Sequence, residues 1–134
     1  MDTGWEVIVV NAERKAPAAE CVLVQTTIGD KDGGMLLARA VLDARLAAGV
    51  QVTGPAHSLY WYEGDFGDDE EWQVEIVTTL ASLPLLEASI AENHPYFNPT
   101  IRVLSIRGND EYIAWISREV GTGRAGPAES AADA

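Results

Sequence analysis

The sequence predicts an α+β fold: a ferredoxin-like, split βαββαβ sandwich with one additional helix at its C-terminal end. Three observations lead there. Strand-like and helix-like apolar patterns follow one another in the order strand, helix, strand, strand, helix, strand, helix. Crossovers of this kind are right-handed, which puts both crossover helices on one face of a four-stranded sheet. The chain has 134 residues, 47% of them apolar, which suffices for one domain with a real core and not for two.

Each element has its own signature. Residues 5–10 are a strand-like run followed by a polar, proline-containing stretch, so residues 1–20 read as an N-terminal extension, either an edge strand or a linker. Cys21–Ile28 (CVLVQTTI) is rich in β-branched residues and ends at Gly29, the pattern of a buried strand. Asp30 or Asp32 then caps a helix whose Leu37, Ala38, Val41, Leu42 and Leu46 share a stripe, with Arg39 and Asp43 paired on the wet side and Gly49 closing it. Residues 50–63 and a strand carrying Trp72, Val74 and Ile76 form a long antiparallel hairpin, with residues 64–69 as its turn. Ser82 caps the second crossover helix, Pro84 lies in its first turn, Leu86 and Ile90 point inward, and His94-Pro95 stops it. Residues 101–107 make the fourth strand. Asn109 or Asp110 caps a last helix with Tyr112, Ile113, Ile116 and Val120 as its apolar stripe. Residues 121–134 carry no large apolar side chain and read as a disordered tail, leaving residues 21–120 as the folded domain.

This arrangement leaves the second sheet face without a cover inside one chain. Tyr60, Trp61, Tyr62, Trp72, Val74 and Ile76 lie on one side or the other of its strands, so self-association is expected, with a symmetric ring as a natural solution.

Charge narrows the partners. Nine Lys and Arg against 21 Asp and Glu give a net charge of −12, which repels phosphate backbones and anionic lipid; neither nucleic acid nor membrane is an expected partner. The apolar run Val7 to Val10 is too short for a signal-peptide core, and no stretch approaches the roughly 18 apolar residues of a membrane span. The single cysteine, Cys21, has no internal disulfide partner, and neither CxxC nor a zinc-spaced Cys/His array occurs. A reducing, cytoplasmic location is the expectation.

The ordered set Ser58-Leu59-Tyr60-Trp61-Tyr62-Glu63-Gly64, Thr78-Thr79, His94-Pro95-Tyr96 with Pro99, and Tyr112-x-x-Trp115-Ile116 resembles the CutA family, named for divalent-cation tolerance, over about residues 22–120. The resemblance implies a ferredoxin-like subunit in a tightly packed homotrimer, related in shape to PII-like signalling proteins, with the long hairpins joining neighbouring subunits. It also implies an association with tolerance to copper and other divalent metals. Three positions depart from the family pattern. Gly49 stands after Ala47-Ala48 where a cysteine is usual, Val77 stands where a lysine precedes the Thr-Thr pair, and Trp61-Tyr62 displaces the tryptophan of the Tyr-x-Trp-x-Gly strand. Copper(I) prefers sulfur, so the missing thiolate weakens an inherited soft-metal site.

The candidates for chemistry follow. His94 ends a helix, matches the family's His-Pro-Tyr, and carries an imidazole fit for a metal or for proton transfer; its ordinary alternative is a helix C-cap. Tyr96 beside it offers a hydrogen bond to a ligand or simply packs its ring. Tyr60, Trp61, Tyr62 and Glu63 suit a cleft that holds a planar or cationic molecule, although such rings on an interface hairpin are more often the packing itself. Glu63, Asp65, Asp68, Asp69, Glu70 and Glu71 form an acidic run that suits hard cations but has no EF-hand spacing. Cys21 reads as buried packing, His57 as part of a strand bulge, and Gly33-Gly34 as a helix entrance without a phosphate-binding fingerprint. Two functions of different class result. One is a trimer that binds a divalent cation such as copper, or a small ligand, at intersubunit clefts through His94, Tyr96, Tyr60, Tyr62 and Glu63. The other is an enzyme using His94, Glu71, Tyr60 and Tyr62 for acid–base work in the same cleft. A trimeric scaffold for a protein partner is the third reading.

Overall fold

The computed structural model describes residues 20–121; the strand reading of residues 5–10 and the tail beyond Gly121 lie outside the described residues. Four strands, β1 (Cys21–Ile28), β2 (Gly49–Tyr62), β3 (Asp65–Thr79) and β4 (Arg102–Ile106), and three helices, α1 (Lys31–Asp43), α2 (Leu83–Asn93) and α3 (Asp110–Glu119), follow in the expected order. The sheet order is β2-β3-β1-β4 with every neighbouring pair antiparallel, the ferredoxin-like topology.

One face of the sheet makes the main core. Val22, Val24 and Ile28 of β1 and Val74 and Ile76 of β3 pack with Leu37 and Val41 of α1 and Leu86 and Ile90 of α2. The alternation of buried and half-buried residues along β1 is the pleat read directly, and each fully buried aliphatic side chain contributes about 1.5–3 kcal/mol of transfer free energy. Trp72, Val74 and Ile76 therefore face the helices, not the opposite side.

The opposite face is not bare. Cys21, Ile116 and Val120 form a second cluster with Val77, Ile106, Ile113 and Trp115, so α3 covers the end of this face where β1 begins. Beyond α3 the same face is mixed in character, with Gln25 donating to Glu75 at 2.8 Å beside half-buried Leu23 and exposed Leu104.

Several local expectations shift for identifiable reasons. Asp30 is the cap of α1, its carboxylate accepting from the Gly33 N–H at 2.7 Å, which uses the glycine-rich entrance for capping. Gly49 does not close α1. The helix ends in a Schellman turn in which Leu46 N–H donates to Val41 O and Arg45 N–H to Leu42 O, each at 3.0 Å, with Arg45 itself at φ 60. Arg45 gains a second fixed point by binding the Glu119 carboxylate at 2.8 Å, which ties α1's end to α3. Ser82 occupies the N-cap of α2 without a side-chain capping hydrogen bond, its hydroxyl accepting from Thr79 Oγ1 at 3.1 Å; Thr79 instead caps the 3-10 turn Leu80–Ser82 that precedes it. Asn109 caps α3 by accepting from Tyr112 N–H at 2.7 Å, and Asp110, Glu111 and Arg118 complement its dipole.

The hairpin turn is shorter than the sequence suggested. Glu63 and Gly64 alone form it, at φ 51 and 86, the paired positive values of a two-residue type I′ turn. Most of the acidic run is thereby strand: Asp65 to Glu71 belong to β3.

Candidate functional site

β1 pairs only with residues 72–79 of β3, so the hairpin continues past the sheet as a two-stranded ribbon, residues 56–62 opposite 65–71. At its root a bulge between Thr53 and Ala56 inserts one extra residue into β2. Period-2 alternation means that one inserted residue reverses the faces. Ser58, Tyr60 and Tyr62 consequently share a face with Asp65, Gly67, Asp69 and Glu71, while Trp61 and Phe66 meet edge-to-face on the other side at 5.7 Å.

Where β1 stops, the loop after α2 closes onto this face. The Glu71 carboxylate accepts one hydrogen bond from the Ser58 hydroxyl at 2.9 Å and another from the Tyr96 hydroxyl at 3.0 Å. One step along the ribbon the Tyr60 hydroxyl donates to Asp69. Partial burial, then the Glu71 hydrogen bond and its charge, push the Tyr96 phenol up to about 12. The Tyr60 phenol is raised too, chiefly by its hydrogen bond to Asp69.

His94 supports this arrangement from below. Its Nε2 lies 2.7 Å from the Thr27 carbonyl, and the Tyr96 backbone N–H donates to Nδ1 at 3.1 Å. A carbonyl only accepts and an amide N–H only donates, so the ring is the neutral Nε2–H tautomer with both nitrogens engaged. It is buried, and its ring centroid stands 4.7 Å from that of Tyr96. His94 thus holds the loop that delivers Tyr96 to Glu71.

The fold brings Glu71, Tyr96, Tyr60 and, through the loop, His94 into one neighbourhood. Tyr62 and Glu63 lie farther out, at the ribbon tip and in the turn. His57 stands opposite Glu70 in the register and takes no part in the His94 contacts. Cys21 packs under α3, and burial raises its thiol pKa against a smaller opposing effect from a Ser117 hydrogen bond. Ser58 was missed as a participant, and Asp69 was read only as one carboxylate of the acidic run. The signal for them was the two-residue spacing Ser58-Tyr60 and Asp69-Glu71, readable only once the strand faces are known.

Across residues 22–119 the sequence matches the family described as CutA1 divalent ion tolerance protein. The chain belongs to the CutA1 family. Its relatives include the "Divalent-cation tolerance protein CutA" of Pectobacterium atrosepticum, 31% identical over 102 residues, covering 75% of this chain and 93% of that one. The Thermus thermophilus protein of the same description is 32% identical over 103 residues, covering 76% and 98% of the two chains. Among solved structures, CutA1 from Oryza sativa superposes with a TM-score of 0.75 at 28% identity, covering 79% of this chain and 98% of that one. The Thermus thermophilus structure gives 0.73 at 30% identity, with 75% and 99% covered.

The departures from the CutA1 pattern have a packing context. Gly49 faces Val77 across the β2–β3 ladder, and a Cβ at Gly49 would stand 3.1 Å from the Trp115 ring. A cysteine there would press on the indole of α3, which would have to give way slightly.

Proposed function

We propose that this CutA1-family protein serves divalent-cation tolerance as a cytoplasmic homotrimer that binds a divalent cation or small ligand where subunits meet, with Glu71, Tyr96, Ser58, Tyr60 and Asp69 as the binding wall. The observation that carries this reading is the pair of phenol–carboxylate contacts, Tyr96–Glu71 and Tyr60–Asp69, on one ribbon face at the point where the sheet ends. From Leu46 to Ile101 there is no Lys or Arg, and nine carboxylates stand in that stretch, so the local field favours cations. The names of the relatives support the tolerance role.

The donor chemistry bears on which cation is suited. Carboxylate and phenol oxygens are hard ligands, which fit Mg²⁺ or other hard ions better than copper(I). Among the described residues no three His, Cys, Asp or Glu come together within one subunit. Glu71 and Asp69 are therefore incomplete as an inner-sphere site, and in the proposed trimer neighbouring copies would supply the missing ligands. His94, engaged at both nitrogens, serves here by holding Tyr96. Acid–base catalysis has less support, since both ring nitrogens of His94 are engaged in holding the loop.

Calorimetry of the full chain against Mg²⁺, Zn²⁺ and Cu²⁺, with native mass spectrometry for the assembly, tests the proposal. The expected result is a trimer that binds at least one of these ions, with affinity reduced by about tenfold or more in Glu71→Gln. A monomer at micromolar concentration, or equal binding by wild type and variant, refutes it.

A further inference from the structure

The outer side of the helix layer carries large apolar side chains that no described residue covers. α1 buries Gly34, Leu37, Ala38 and Val41 against the sheet, which turns Met35 and Leu36 outward, the latter 72% exposed. α2 buries Leu86 and Ile90, which leaves Leu85 66% exposed, and the 3-10 turn before it exposes Leu80. α1 runs away from the Ile28 end of the sheet and α2 runs back toward it, so these side chains are spread from one end of the layer to the other. In the proposed trimer this side points away from the second sheet face and the hairpins, where neighbouring copies meet.

The chain itself holds an occupant of matching chemistry. Residues 5–10 (WEVIVV) are apolar at every position but Glu6, and they lie outside both the described residues and the family match. The chain enters the fold beside the exposed leucines, the Glu20 carbonyl accepting from the Leu80 N–H at 2.9 Å. Residues 11–19 connect the two and span at most about 30 Å when extended. An eight-residue strand such as β1 is about 26 Å long, so residues 5–10 can reach either end of the layer. Charge agrees with this path. Arg14 and Lys15 stand in the connecting stretch, whereas α2 exposes Glu87 and Glu92, which have no ion-pair partner among the described residues. A second copy of the chain would also cover the leucines, but it would bring a net charge of −12 toward the same carboxylates. We propose that residues 5–10 dock on the outer side of α1 and α2, across Met35, Leu36 and Leu85, with Arg14 and Lys15 beside Glu87 and Glu92. This inference does not rest on the cation site proposed at Glu71.

Hydroxyl-radical footprinting of the full chain, read by mass spectrometry, tests the docking. Met35, Leu36 and Leu85 are expected to label about threefold or more slowly in wild type than in a full-chain variant carrying both Val7→Asp and Val9→Asp. Exposed Phe97, on the loop after α2, should label equally in both and serves as the reference. From the other side, Leu36→Glu combined with Leu85→Glu should speed tryptic cleavage after Arg14 and Lys15 by about the same factor. Both leucines are exposed, so these replacements should leave the fold intact, which circular dichroism checks. Equal labelling of Met35, Leu36 and Leu85 in wild type and the folded aspartate variant overturns the proposal, whether they are open in both or shielded in both by another copy. Unchanged cleavage after Arg14 and Lys15 in the folded glutamate variant overturns it as well.

Discussion

The two ends of β3 are the same strand in two environments. Residues 72–79 have β1 on one side, β2 on the other and helices above, and Val74, Ile76 and Thr78 are fully buried. Residues 65–71 have β2 alone, and their side chains are exposed or half-exposed although the pleat continues unbroken. Alternation therefore sets which side a residue faces, and the neighbouring layer sets whether that side is dry. One end specifies the fold; the other displays carboxylates, opposite the phenols of β2, that a core would not tolerate unpaired.

The contrast is open to measurement. The largest effect belongs to the packed end: Leu86→Ala, truncating a fully buried side chain, should lower unfolding free energy by about 2–5 kcal/mol in denaturant titration. An equally large loss on truncating exposed Leu59 in the chain dissociated to monomers would erase the distinction. Inserting one residue between Glu71 and Trp72 matches the extra residue of β2 and turns Ser58, Tyr60, Asp69 and Glu71 to the opposite face of the ribbon, away from Tyr96. Its expected signature is a Tyr96 titration that falls back toward the ordinary tyrosine range, read by phenolate absorbance.

His94→Ala sits at the boundary between the two ends. It leaves the Thr27 carbonyl and the Tyr96 N–H without their partner, so a loss of about 1–3 kcal/mol is expected, together with a lowered Tyr96 pKa as the loop loosens. The wild-type Tyr96 phenol should titrate near 12. Its folded pKa is raised, so its stabilising contribution is complete below the unfolded value of about 10 and disappears as pH climbs through the folded one. Glu71→Gln should narrow that window by removing the charge and weakening the hydrogen bond. The smallest change is expected at Arg45→Ala, whose pair with Glu119 is exposed on both sides and contributes about 0–1 kcal/mol.

Much of the site lay within reach of sequence reasoning, but its organisation did not. Tyr60, Glu71, Tyr96 and His94 were singled out as residues. Which of them meet was hidden by the bulge at Gly54-Pro55, because a single inserted residue exchanges the faces of every position beyond it. The hairpin turn was placed too late because acidic residues resemble a solvated loop, whereas Glu63-Gly64 already satisfies a type I′ turn and an isolated ribbon exposes its carboxylates to water anyway. α3 was recognised as a helix, yet its docking on the second face under Cys21, Val77 and Ile106 reflects packing across large sequence separations.

By itself the sequence determined the order and kind of the elements, the ferredoxin-like topology and the family, since these depend on local periodicity, capping residues and motifs whose effects reach only a few residues along the chain. Tertiary structure alone decided that His94 holds Tyr96 against Glu71, that Trp115 occupies the space beside Gly49, and that two tyrosines line up beside Asp65. Those outcomes depend on strand register and on contacts between residues far apart in the chain, and no local pattern encodes a register that one bulged residue can reverse.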